Sequence, residues 1–268
     1  MKTILSLGLV IFFFGSISAQ VVGKEVTTVD SNSLTITLSS KVVLELKKIP
    51  AGTFTMGSPE DEQGRIDHEV QHRVTITKAY WMGVTEVTQA QWNAVMGGNP
   101  AFFQKGDNYP VEQVSWKEAR RFCEKLNNDS SIERPEGYCF DLPTEAQWEY
   151  SCRAGTTGAC YGDLDEVAWY DSNSGGSTHP VAQKHPNLWG LYDMHGNVCE
   201  WCRDWWWWKT YQGNVTDPMG PTSGSNRVIR GGSWCSYTQY CRAASRIRDS
   251  PDFQYNFIGF RLALVPVP

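Results

Sequence analysis

The chain has no excess of positive charge. Its 268 residues carry 24 Lys+Arg against 29 Asp+Glu, a formal net charge of −5. Without a basic face to meet phosphates, nucleic acid is not an expected partner. Long apolar runs are scarce as well. After the apolar stretch at residues 4–14, no segment approaches the roughly 18 uninterrupted apolar residues of a membrane-spanning helix. No cysteine precedes Cys123, so no thiol near the N-terminus is placed to carry a lipid. There is no internal repeat and no linker that would cut the chain in two. A Ser-His-Asp hydrolase is not indicated, since Ser233 has no base beside it in sequence. What is present suffices for a large core: 41% of residues are hydrophobic, and 12 Trp, 11 Tyr and 11 Phe supply large packing surfaces.

Residues 1–19 read as a secretory signal, with Lys2 ahead of the apolar stretch and small residues before a cleavage point after Ala19. Residues 20–41 read as an N-terminal extension rich in Val, Thr and Ser, and residues 42–268 as the folded domain. Export, whether secreted or periplasmic, implies an oxidising destination. There the eight cysteines are expected to be at least partly bridged, in a pairing that sequence does not choose.

Strand patterns occupy residues 42–57, broken by a Pro-x-Gly turn, and residues 73–77. Three helix starts carry the same reciprocal cap: Thr88 with Gln91, Ser115 with Glu118, and Thr144 with Gln147. Beyond residue 155 the periodicity fades, and long loops rich in Gly, Asn, Ser and aromatics must be held by packing, disulfides or metal.

Three constellations carry possible chemistry. His68-Glu69-Val70-Gln71-His72 fits H-E-x-x-H, but it runs into a strand, where residues four apart are too far separated to share one zinc ion. It reads as a solvated loop. The loop 193–200 offers Asp193 and Glu200 around Gly196, a set of hard oxygens suited to Ca²⁺; equally, Asp193 suits an Asx-turn and Glu200 a surface or core-paired acid. Cys199, Cys202, Cys235 and Cys241 gather in the loop-rich half. The run Trp205-Trp206-Trp207-Trp208 suits a carbohydrate-stacking or protein-binding platform, or inward packing.

Six motifs occur in order: residues 49–57, Glu86-Val87-Thr88, residues 142–150, residues 190–201, Arg230-Gly231-Gly232-Ser233-Trp234 and Gly259-Phe260-Arg261. In these the chain resembles the formylglycine-generating enzyme (sulfatase-modifying factor) family across residues 42–265. The resemblance implies a single asymmetric α+β domain with little regular structure, related to C-type-lectin-like folds. Enzymes of that family oxidise a cysteine of a client sulfatase with Cu(I), held by two cysteines, and molecular oxygen. The matching residues would be Ser233, Cys235 and Cys241. The spacing departs from the pattern: Cys235 comes two residues after Ser233 rather than three, and Cys241 six residues later rather than five. Alignment of residues 242–246 with the family's Arg-x-Ala-x-Arg element leaves the loop about three residues short, so that Cys241 falls outside the second copper-ligand position. Cys199 stands where the enzymes carry a Trp. A Cys202–Cys241 or Cys199–Cys235 disulfide would consume the candidates.

The resemblance also implies a calcium ion on the side chains of Asp193 and Glu200 and the carbonyls of Gly196 and Val198. A second calcium site would use Asn173 and Ser174, but the acid that should follow is missing. Some relatives bind ligands through a variable C-terminal loop, a use that suits Tyr237, Tyr240, Phe253 and Tyr255. The resulting expectation is an exported, calcium-stabilised module that binds a protein, peptide or small ligand and lacks formylglycine-generating activity. The alternative is a copper-dependent oxidase.

Overall fold

The computed structural model describes residues 28–29, 31–208 and 213–267. The signal expected over residues 1–19 lies outside the described residues. Each of the three reciprocal caps forms, with both the side chain and the backbone arm in place. They open helices α1 (Gln89–Met96), α2 (Trp116–Asn128) and α3 (Glu145–Arg153). Helix α2 buries Ala119, Phe122, Cys123 and Leu126, the apolar stripe of its sequence. Helix α3 ends on Ala154 in the left-handed region, followed by Gly155.

These helices pack on short, curled sheets. The largest is antiparallel, in the order Thr28–Val29, Ser33–Ser39, Val42–Ile49, Tyr80–Gly83, Ala263–Pro266 and Tyr138–Asp141. The C-terminal strand thus sits between Tyr80–Gly83 and Tyr138–Asp141, both far from it in sequence. Residues 20–41, read as an extension, include a strand of this sheet: Ser33–Ser39 pairs along Val42–Ile49 and buries Leu34 and Ile36 completely. A second sheet runs Arg246–Asp249, Arg227–Arg230, Cys199–Trp205 and Ile258–Gly259. A third joins Gly52–Met56, His72–Ile76 and Val215–Thr216. Few helices and several small sheets in one unit match the α+β expectation.

The loop-rich half is held by buried charge. All eight cysteines are free thiols, so the expected bridging is not met. Cys202 and Cys241 are instead fully enclosed, and the sulfur of Cys152 lies against the Met194 carbonyl and the His195 ring. Arg–Glu pairs take the place of cross-links. Arg230 binds Glu149 and the carbonyls of Ala243, Ala244 and Ser245. Arg246 grips both oxygens of Glu145 at 2.5 and 2.7 Å, and Arg242 does the same to Glu69 at 2.8 and 2.7 Å. A buried pair of this kind is costly to break, because the surviving charge has no partner.

Candidate functional site

Two loops meet where the sequence placed its candidates. Around residues 193–200 the backbone turns through left-handed φ at Asp193, Gly196 and Asn197. Gly196 is required there, since a Cβ would sit 2.2 Å from the Trp169 carbonyl oxygen. This loop is joined to the segment 231–241 by three hydrogen bonds. Gly196 N–H donates to the Gly231 carbonyl at 2.9 Å and Trp234 N–H to the Asn197 carbonyl at 2.8 Å. His195 Nδ1 donates to the Cys241 carbonyl at 2.7 Å. Burial depresses the His195 pKa to about 4, so the ring is neutral and its other nitrogen accepts from Tyr161 N–H.

The two expected calcium carboxylates have different surroundings. Both oxygens of Glu200 are engaged: Oε1 by Arg261 Nη2, and Oε2 by Arg261 Nε and Trp148 Nε1, all at 2.7 Å. Glu200 is therefore the core-paired acid of the competing sequence reading. Asp193 accepts from Ala182 N–H through Oδ2, no nitrogen or hydroxyl donor reaches its buried Oδ1, and its carboxyl meets that of Glu86. Beside it lies Glu86, fully buried, with neither oxygen meeting a nitrogen or hydroxyl donor. Burial first, and then the charge of Asp193, drives the Glu86 pKa well up; burial carries Asp193 to about 6. The two acids pair with each other inside the protein, and their oxygens are of the hard type that Ca²⁺ takes. Asp193 and Glu86 thus fit calcium by donor type. Among the described residues no three His, Cys, Asp or Glu side chains form a metal cluster, so backbone carbonyls such as those of Gly196 and Val198 would have to complete the shell. Asn173 is spent on its own turn, accepting from Tyr170 N–H and donating to the Ala168 carbonyl, while Ser174 Oγ donates to the Trp234 carbonyl.

The cysteines of the Gly-Gly-Ser turn are set at different depths. Cys235 is exposed, its sulfur 3.4 Å from Ser233 Oγ. Cys241 is fully buried under Gly232, where an added Cβ would lie 2.7 Å from the sulfur. Burial pushes its thiol up to about 12 and drives that of Cys199, also buried, well up. Cu(I) needs two soft thiolates aimed at each other. Here one thiol is exposed and the other buried, and the nearby Cys235 adds to the rise of Cys241.

Tyr237, Tyr240, Phe253 and Tyr255 are all exposed. Phe253, Tyr255 and Phe257 form a ring ladder with centroids 5.9 and 5.0 Å apart. Tyr237 precedes and Tyr240 ends the short 3₁₀ turn Thr238–Tyr240. Phe102 and Phe103, absent from the sequence candidates, extend the aromatic surface: Phe103 meets Trp234 edge-on at 5.3 Å, and Trp234 Nε1 donates to the Asn256 carbonyl. The H-E-x-x-H segment is not a solvated loop. Glu69 is completely buried on Arg242 and Ser58, and His72 begins a strand.

A loop-rich α+β domain in which these motifs pair with one another defines a sulfatase-modifying-factor type of protein. A family model described as the sulfatase-modifying factor enzyme 1-like domain matches residues 40–265, and the chain belongs to that family. The formylglycine-generating enzyme of Mus musculus is 31% identical over 229 residues, covering 77% of this chain and 57% of its own length. The chain therefore spans a little over half of that relative. Among solved structures, Treponema denticola variable protein 1 is similar with a TM-score of 0.78 and 35% identity, covering 87% of this chain and 99% of that one. PvdO from Pseudomonas aeruginosa follows with a TM-score of 0.77 and 26% identity, covering 88% and 99%.

Proposed function

We propose that the chain is an exported, calcium-stabilised binding module of this family that does not generate formylglycine. The observation that carries the reading is the unequal placement of the two thiols, with Cys235 at the surface and Cys241 sealed beneath Gly232. The occupant of the module is a protein, peptide or small ligand, met by the aromatic surface of Tyr237, Tyr240, Phe253 and Tyr255. Tyrosine gives wide contact area at low entropy cost, and the neighbouring Ser, Thr and Gln side chains give adaptable hydrogen bonds. Asp193 and Glu86 hold the calcium with the Gly196 and Val198 carbonyls, and Glu200 fixes the loop through Arg261. No helix among the described residues is long and apolar enough to cross a membrane.

The alternative is a copper-dependent oxidase converting a sulfatase cysteine to formylglycine. It is favoured by the 31% identity to the mouse enzyme and by Ser233 lying against both Cys235 and Cys241. One experiment separates the two. The purified protein is titrated with Cu(I) against a competing chelator, then incubated with oxygen and a Cys-x-Pro-x-Arg peptide. The binding module leaves the peptide mass unchanged; an aldehyde product at the peptide cysteine overturns it.

A further inference from the structure

Two thiols from different loops meet the hydroxyl of Ser233. The strand Cys199–Trp205 pairs antiparallel with Arg227–Arg230, setting Glu200 opposite Arg230. Two backbone hydrogen bonds carry that pairing past the strand ends: Gly196 N–H to the Gly231 carbonyl and Trp234 N–H to the Asn197 carbonyl. Gly231 and Gly232 have no side chains to intervene, and the Cys199 sulfur is hydrogen-bonded by the Ser233 side chain. Cys235 places its own sulfur 3.4 Å from Ser233 Oγ. Ser236 fixes that hydroxyl, since its Oγ accepts from Ser233 N–H at 3.0 Å and lies 3.1 Å from Ser233 Oγ.

The two thiols differ in access. Cys235 is exposed and Cys199 is buried, so a reagent in solution reaches the first and not the second. Competing pairings are less well placed. Cys241 also lies near Cys235, but its sulfur is wedged 2.7 Å from where a Cβ on Gly232 would stand. Cys202, the partner that the sequence offers for Cys241, lies instead beside Glu145 and Asp204. All eight cysteines are free here, so a bridge belongs to an oxidised form of the protein.

We propose that Cys199 and Cys235 are a redox pair, in which the exposed thiol takes oxidation from the medium and the buried one resolves it into a Cys199–Cys235 bridge. The oxidant is a small disulfide. It exchanges first with Cys235: the reagent's S–S bond breaks, one half joins the Cys235 sulfur, and the other leaves as a thiol with the Cys235 proton. The Cys199 sulfur then attacks that of Cys235. A new S–S bond forms, the mixed one breaks, and the second half of the reagent leaves with the Cys199 proton, so that two thiols are oxidised and one disulfide reduced. The bridge ties the strand Cys199–Trp205 to the Gly-Gly-Ser turn and withdraws Cys235 from any metal. It is independent of what the aromatic surface binds, and either can fail without the other.

The test incubates the full, natively folded chain with oxidised glutathione, quenches it in acid and alkylates the remaining thiols. Chymotrypsin then cuts at Trp201, between Cys199 and Cys202, and at Tyr237, between Cys235 and Cys241, and mass spectrometry reads the linked peptides. The expected product has lost two hydrogens and two titratable thiols, joins Cys199 to Cys235, and leaves Cys241 alkylated. In Cys199→Ala the glutathione adduct on Cys235 becomes the end product. In Cys235→Ser, a change at the surface, Cys199 stays reduced, whereas Cys241→Ala still forms the bridge. A bridge from Cys235 to Cys241, a glutathione adduct that persists in the native protein, oxidation of Cys199 in Cys235→Ser, or no reaction at Cys235 overturns the pairing.

Discussion

Arg261 closes its guanidinium on both oxygens of Glu200, with Nε and Nη2 each 2.7 Å from its carboxylate partner. The two residues come from the Gly-Phe-Arg and Cys-Glu-Trp motifs, 61 positions apart, and both are completely buried. Trp148 Nε1, from α3, donates to the same carboxylate. Replacing Arg261 by Ala strands a buried anion, and the expected loss is about 3–5 kcal/mol. Arg261→Lys does not restore it, because an ammonium cannot make the two-pronged contact. Urea denaturation measures both, and a loss below about 1 kcal/mol in the Ala variant contradicts this role.

Calcium is expected to raise the melting temperature. At a hundredfold excess over Kd a ligand adds about 2.7 kcal/mol, roughly 5–10 °C for a domain of this size. Asp193→Asn and Glu86→Gln each remove most of that rise while melting normally in chelator. Scanning calorimetry with calcium and with chelator gives the answer, and equal curves for the native protein count against the site.

Asp204 makes stability depend on pH. Burial, and then the nearby charge of Glu145, pushes its carboxyl from the ordinary 3.8 up to about 7, although Glu145 N–H donates to it. The folded state therefore prefers the protonated acid. That contribution is complete below about pH 4 and is lost as pH rises through about 7. Relative to Asp204→Asn, the native protein should weaken across this window by an amount on the order of 2–4 kcal/mol. Denaturation of both proteins between about pH 5 and about pH 8 checks the sign; a native protein that gains on the variant with rising pH reverses it.

Gly232 sits at φ +75 with the Cys241 sulfur where a Cβ would go. Gly232→Ala is expected to cost at least 1–2 kcal/mol, from backbone strain and overpacking together. Adding Cys241→Ala removes the sulfur contact but neither the strain nor the close approach of the Tyr240 carbonyl at 3.0 Å, so a double-mutant cycle should recover only part of the loss. Full additivity of the two single changes places the thiol elsewhere.

Local signals were legible in the sequence where they act within a few residues. The caps at Thr88, Ser115 and Thr144 are decided by neighbours three positions away, and all three form. The motif order identified the fold because each motif supplies one half of a buried pair: Arg230 with Glu149, Arg261 with Glu200. Partnership across 61 or 81 positions leaves no local trace. For the same reason Glu86 could not be chosen over Glu200 as the acid that meets Asp193, and Glu69 read as solvated although Arg242, 173 positions away, covers it. The thiols were legible as a cluster, but their burial, and hence their protonation, follows from packing alone.

The first strand of the hairpin, Ser33–Ser39, lies ahead of the family span at residues 40–265, and its partner Val42–Ile49 lies inside it. A chain trimmed to that span would strip Leu34 and Ile36 from the core and uncover Leu44 and Leu46. It would also turn Val42–Ile49 into a bare outer strand, its backbone groups ready to recruit another molecule. Shortened versions would accordingly clump, whereas the longer ones keep their own cover.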